Sequence, residues 1–279
     1  MVSTVRGGAL SLSSLDAALR TNRESGQPLP SVWQSLTDAT AVFRRPQLVV
    51  IASAPGVGKS ALALNLAVRS GSSCIYFSAD SGPGTQLVRT VSILTGRETG
   101  VVQKAMESGY PFTEELRPVR NIWWEFDAGP SLDLIDRSVT AHGYLGAYPD
   151  MTIIDNLMNV DAEGESEAKA HKDTLLFGLE LARSRNMCVI VLAHLIGEYE
   201  DGITPPPLSA LMNKIGKIPE MVLTLYNLEN PLGGSELGVA IVKNRDGIAD
   251  AAARYGVSLR KDLSRMTIED LNNGGLIAA

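Results

Sequence analysis

Residues 48–70 read LVVIASAPGVGKSALALNLAVRS. The first six are apolar or small, the pattern of a buried strand, and the twelve from Lys59 onward have helical spacing. Between them SAPGVGKS (53–60) ends in the Gly-Lys-Ser of a phosphate-binding loop. It carries Ser53 where the pattern G-x-x-x-x-G-K-[ST] wants glycine. A strand turning into a helix offers an anion both free backbone N–H groups and the positive end of the helix dipole. Gly56 and Gly58 let the backbone approach phosphates closely, Lys59 is placed to reach the β- and γ-phosphates, and the Ser60 hydroxyl suits Mg²⁺. Ser53 stands at the strand exit, where a small residue can serve and its hydroxyl can bond within the loop. Pro55 stiffens the turn and removes one donor, so the cradle relies on the N–H groups of Val57 to Ser60. The expected binding residues are therefore Ser53, Ala54, Pro55, Gly56, Val57, Gly58, Lys59 and Ser60, and the expected ligands are ATP and Mg²⁺.

The rest of the chain repeats this alternation. Strands are expected at 74–78, 121–126, 151–157 and 187–194, with helices at 85–96, 132–143 and 167–186, the last with Leu175, Leu179 and Ala182 on one face. Near-continuous apolar strands separated by helices predict a mostly parallel sheet covered on both faces. Three further strands, at 221–226, 237–244 and 253–259, have no helices between them and predict C-terminal antiparallel hairpins. The expected divisions are an N-terminal segment (1–30), a main domain (31–262) and a C-terminal tail (263–279). Within the first, SLSSLDAALRTNRE (11–24) has Leu12, Leu15 and Leu19 at helical spacing, a stripe that needs burial on the chain's own core or a neighbouring copy.

The chain has 279 residues, 44% hydrophobic and 20% charged, as for an ordinary globular protein. No apolar run is long enough for a membrane span and the N-terminus lacks the pattern of a signal peptide, which predicts a cytoplasmic protein. Cys74 and Cys188 sit in strand-like runs and are expected to be buried, inert thiols. A formal charge of −6 argues against a generic basic coat for nucleic acid, while leaving room for a local basic channel.

A phosphate loop needs a carboxylate at the end of a nearby strand, and TIID supplies Asp155 for the Mg²⁺ shell. Many ATPases place a catalytic glutamate next; this chain has Asn156, so the base is sought elsewhere. YFSAD ends in Asp80, the best candidate to orient water.

Taken together these positions resemble the RecA-like P-loop NTPases, and more closely the ATPase domain of DnaB-type replicative helicases, including phage versions. QLVVIASAPGVGKSALALNLA (47–67), FSAD (77–80), TIIDNLMNV (152–160), VLAH (191–194) and VAIVKNRDG (239–247) occur in the family's order, over residues 28 to 260. The resemblance implies that Asp80 holds the catalytic carboxylate position and His194 that of a γ-phosphate sensor. It implies that Lys243 and Arg245 reach the nucleotide of an adjacent subunit, which makes the protein a homo-oligomer, ring or filament, acting on DNA. The chain also departs from the family. The family has glutamate where Asp80 stands and glutamine where His194 stands, and its N-terminal helical domain is expected to be missing. DAEGESEAK (161–169) and IGEYEDGI (196–203) are acidic where the family's DNA-facing loops are more basic.

The expected function is a helicase- or recombinase-like ATPase, with Lys169, Lys172, Lys214 and Lys217 as the basic candidates for DNA. Two alternatives stay open: a metal-dependent DNA nuclease using Asp80, Asp155 and the acids at 161–167, and an ATP-binding switch or helicase-loading partner with little turnover.

Overall fold

The computed structural model describes residues 26–161, 166–195, 197–229, 235–271 and 276–278. The amphipathic stretch at 11–24 lies outside them, as do residues 162–165 of the first acidic segment and 196 of the second. In chain order the elements are β1 (Gln27–Pro28), α1 (Gln34–Asp38), β2 (Arg44–Arg45), β3 (Gln47–Ser53), α2 (Lys59–Ser70), β4 (Cys74–Ser78), α3 (Pro83–Thr95), α4 (Thr99–Glu107), β5 (Ile122–Glu125), α5 (Leu132–Gly143), β6 (Met151–Asp155), α6 (Glu167–Arg185), β7 (Cys188–His194), β8 (Met221–Glu229), β9 (Ser235–Asn244), β10 (Tyr255–Asp262), β11 (Thr267–Asp270) and β12 (Leu276–Ala278). Short 3₁₀ turns lie among them, including Leu157–Asn159 and Met212–Lys217.

One ten-stranded sheet runs β11-β10-β9-β8-β3-β7-β6-β4-β5, with β12 also on β10. From β5 to β8 the neighbours pair in parallel, and from β8 outward they are antiparallel. The period-2 alternation of β3 explains the layering. Val49 and Ile51 pack with α2 on one face, while Leu48, Val50 and Ala52 pack with Ile135 of α5 and Leu175 of α6 on the other. Both faces are therefore apolar, and every residue of β3 is buried. Within α6, Gly178 permits close approach to the sheet: an added Cβ would meet Leu48 Cδ1 at 3.2 Å.

The C-terminal stretch corrects the sequence reading. Residues from 263 on are not merely a tail, because β11 and β12 fall there and pair with β10. β11 also anchors the start of the domain. Trp33 Nε1 donates to Ile268 O at 2.8 Å, and Asp270 accepts from the amides of Gln34 and Ser35 at 2.7 and 3.1 Å, capping α1. Both cysteines are free and buried, and burial pushes their thiols upward, away from reactivity. No helix among the described residues is long and apolar enough to cross a membrane.

Candidate functional site

In a parallel sheet the carboxyl ends of the strands, where chains turn into helices, collect ligand-binding groups. Here β3, β7 and β6 lie side by side and end in Ser53, His194 and Asp155. The loop of residues 54–58 leaves β3 at that edge and delivers Lys59 and Ser60 as the first residues of α2.

The serine at 53 fits because its backbone needs no left-handed conformation. The positive φ values of the loop fall on Gly56 (+77°) and Gly58 (+130°), where glycine stands. Ser53 is fully buried and its hydroxyl donates to Ala54 O at 2.7 Å, so the departure from the pattern is absorbed inside the loop.

Ser60 Oγ donates to Asp155 Oδ1 at 3.1 Å, and the other carboxylate oxygen accepts from Tyr76 OH at 2.9 Å. Burial raises the Asp155 pKa, opposed by these two hydrogen bonds. A hydroxyl beside a carboxylate is a hard-oxygen pair of the kind Mg²⁺ takes when phosphates and water fill its other positions. The residues present therefore fit that ion, and Ser60 and Asp155 are the side chains that could hold it.

Lys59 Nζ donates to His194 Nδ1 at 3.4 Å. Burial depresses the lysine's pKa, with Asp155 and Asp80 pulling it back; burial and then the Lys59 charge depress that of His194. The imidazole is thus neutral near pH 7, and where Nδ1 accepts from Lys59 the proton sits on Nε2, which has no acceptor among the described residues. Asp80, an exposed residue just beyond β4, accepts from Asn156 Nδ2 at 2.6 Å. Asn156 is itself oriented, since its Oδ1 accepts the Met158 amide at 2.9 Å. The residue standing where many ATPases carry a glutamate therefore holds the carboxylate of Asp80. Sequence does not announce that link or the role of Tyr76: an asparagine after a strand reads as a turn, and a tyrosine in an apolar run reads as core.

Lys243 and Arg245 lie at the other end of the sheet. The Arg245 amide donates to Glu220 O, and the Glu220 amide to Leu48 O at the start of β3. Seven residues of β3 separate that end from the loop, roughly 20 Å at strand rise. The two cations differ. Lys243 Nζ donates to the carbonyls of Gly216 and Lys217 at 2.9 and 2.7 Å, a commitment within its own chain that sequence did not reveal. The Arg245 side chain is 52% exposed, with Glu220 at 3.9 Å.

The four candidate lysines converge. Lys169 and Lys172 from the first turns of α6 line one cavity of about 430 Å³ with Lys214 and Lys217 of the facing 3₁₀ segment. Lys214 is held at φ +55°, a left-handed conformation that costs a residue with a Cβ about 1–2 kcal/mol. Buried His171 joins the two elements, with Asn213 Nδ2 3.3 Å from its Nδ1. Among the described residues no group of three or more His, Cys, Asp or Glu side chains is arranged to hold a metal ion.

Parallel strands ending in a glycine loop, a Ser–Asp pair and a neighbouring histidine, followed by antiparallel strands, define a P-loop protein of the RecA fold, built like the ATPase domain of DnaB-type helicases. Solved structures agree on that fold. An ATPase domain superposes with TM-score 0.76 at 20% identity, over 94% of this chain and 100% of that one. A DnaB-like replicative helicase, described with its interactions with primase, gives TM-score 0.73 at 20% identity over 94% of this chain and 68% of that one. The RadB recombinase gives 0.58 at 17% identity, over 88% and 100%. No protein-family model matches the chain. It is 36% identical over 258 residues to the gene 65 protein of Mycobacterium phage L5, covering 89% of this chain and 95% of that protein, and 34% identical over 235 residues to the gene 65 protein of Mycobacterium phage D29, covering 81% and 100%. The chain belongs to this family of mycobacteriophage gene 65 proteins.

Proposed function

We propose that the protein binds ATP with Mg²⁺, hydrolyses it, and couples turnover to DNA as a self-assembling motor of the helicase or recombinase class. The observation that carries the reading is the convergence of Lys59, Ser60, Asp155 and His194 at the carboxyl ends of three adjacent strands. Lys59 and the loop amides bind the phosphates, and Ser60 with Asp155 holds Mg²⁺. When bound, that ion neutralises charge developing on the transferred phosphoryl group. Asp80, steadied by Asn156, orients the attacking water, and the Nε2–H of His194 reports the γ-phosphate to the segment that follows β7. Arg245 is too far from its own loop to act there, which supports its use by a neighbouring copy and hence a homo-oligomer, ring or filament.

The lysine-lined cavity is the proposed DNA surface. A strained, lysine-bearing turn facing a second lysine pair suits a phosphate backbone. Single-stranded DNA is expected to raise ATP turnover, and replacing Lys172 and Lys214 with alanine to reduce that stimulation. The same pair of changes is expected to flatten the slope of log affinity against log salt by about 1.4, from about 0.7 per lost phosphate contact. An unchanged slope and unchanged stimulation would remove this surface from the proposal.

One observation favours a second reading, the ATP-dependent switch. Asp80 has the shorter acidic side chain and its carboxylate is already engaged by Asn156. Tight ATP binding with turnover that no DNA stimulates would select that reading over the motor.

A further inference from the structure

Lys261 lies in β10, 204 positions from the loop it touches. Its ammonium donates to Val57 O at 3.1 Å and also to Asn227 Oδ1. The residue is 6% exposed and forms no ion pair among the described residues. A buried ammonium with only neutral oxygens around it is an unfavourable arrangement that stability alone does not call for. One of its two contacts is the carbonyl of the peptide between Val57 and Gly58.

That peptide is trans, so its C=O and N–H point in opposite directions. With Val57 O held down toward β10, the Gly58 N–H must face the other way, toward the open side of the loop. It has no acceptor among the described residues. Local sequence does not secure this orientation, since a peptide preceding glycine rotates with little steric resistance and Gly58 sits at φ +130°. The reversed orientation would turn the Val57 carbonyl toward a phosphate and withdraw a donor. The ground beneath the contact is fixed as well. An added Cβ at Gly202 would lie 2.7 Å from Val57 Cγ2, and Gly202 O accepts the Asn227 amide at 2.6 Å.

We propose that Lys261 is a positioning residue of the nucleotide site, its ammonium locking the Val57–Gly58 peptide with the N–H turned toward the phosphates. This deepens the nucleotide-binding reading above and rests on it. Asn227 braces the lock, taking the same ammonium through its side chain and the Gly202 carbonyl through its backbone.

The test is calorimetric titration of the full chain with MgADP, for the unaltered protein, Lys261→Met and Lys261→Arg, at a temperature where melting curves show all three folded. Lys261→Met is expected to weaken ADP about tenfold, as expected for one lost charge-oriented donor. Lys261→Arg, which still donates to both oxygens, is expected to stay within about threefold of the unaltered chain. A purely structural lysine would lower the melting temperature and leave affinity alone, so unchanged ADP affinity in folded Lys261→Met overturns the proposal. Should that variant not fold, Lys261→Ala combined with Asn227→Leu replaces it, with the same two outcomes. Failure of the unaltered chain to bind ADP would instead refute the nucleotide reading itself, a result distinct from a variant that binds as well as its parent.

Discussion

Replacing Lys59 with alanine lowers kcat/KM for MgATP by about 10²–10³-fold, the usual cost of removing one preorganised donor from a developing anion. The lysine is buried at the start of α2, its pKa depressed by burial and supported by Asp155 and Asp80. Such a cation loses little by giving up water when a triphosphate arrives, because most of its hydration is already gone. The change also frees His194, which now has Lys59 against Nδ1 at 3.4 Å. The loss should therefore extend to any response that His194 relays. A steady-state ATPase assay on both proteins reads the effect, and equal activity would place the chemistry away from this loop.

The second large effect belongs to Arg245. Supplied by a neighbour, an arginine of this kind is worth about 10³–10⁵ in turnover, so Arg245→Ala should reduce the ATPase nearly to background. Position makes the claim testable, because Arg245 and the phosphate loop lie at opposite ends of β3. Arg245→Ala subunits retain an intact loop, and Lys59→Ala subunits retain an intact arginine. Mixed in equal amounts in a head-to-tail assembly, they should recover about one quarter of the activity, since half of the intact loops meet an intact arginine. Mixtures inactive at every ratio would end the trans assignment. Lys243 enters this differently: bonded to the Gly216 and Lys217 carbonyls, it acts on the shape of the lysine-bearing turn before it acts on any neighbour.

Elements held by their own periodicity were legible. α2, β4 and α5 begin and end where spacing and glycine placed them, because each carries its boundary signals locally, as Gly71 does in left-handed conformation after α2. Elements held by distant partners were not. β11 is four residues of mixed polarity, and its place in the sheet depends on Trp33 and on Asp270 reaching the first turn of α1. α4 buries only Val102 and contains Gly100, so it offered no apolar stripe.

The site divides in the same way. Lys59, Ser60 and Asp155, which folding brings together, can be picked out as candidates because phosphate chemistry uses those residue types in local patterns. Asn156 and Tyr76 act through side chains that meet only when β4 and β6 pair. Lys261, in a strand among charged neighbours, reads as solvent-facing until folding lays β10 beneath the loop.

Nucleotide binding, on which every role above depends, is read by isothermal calorimetry of the pure, intact protein with MgATP, run at two temperatures so that a vanishing enthalpy at one cannot hide binding. One saturable event per chain is expected, weakened when Mg²⁺ is chelated. No heat at either temperature, across nucleotide concentrations from micromolar to several millimolar (the ordinary range for such sites), would contradict it.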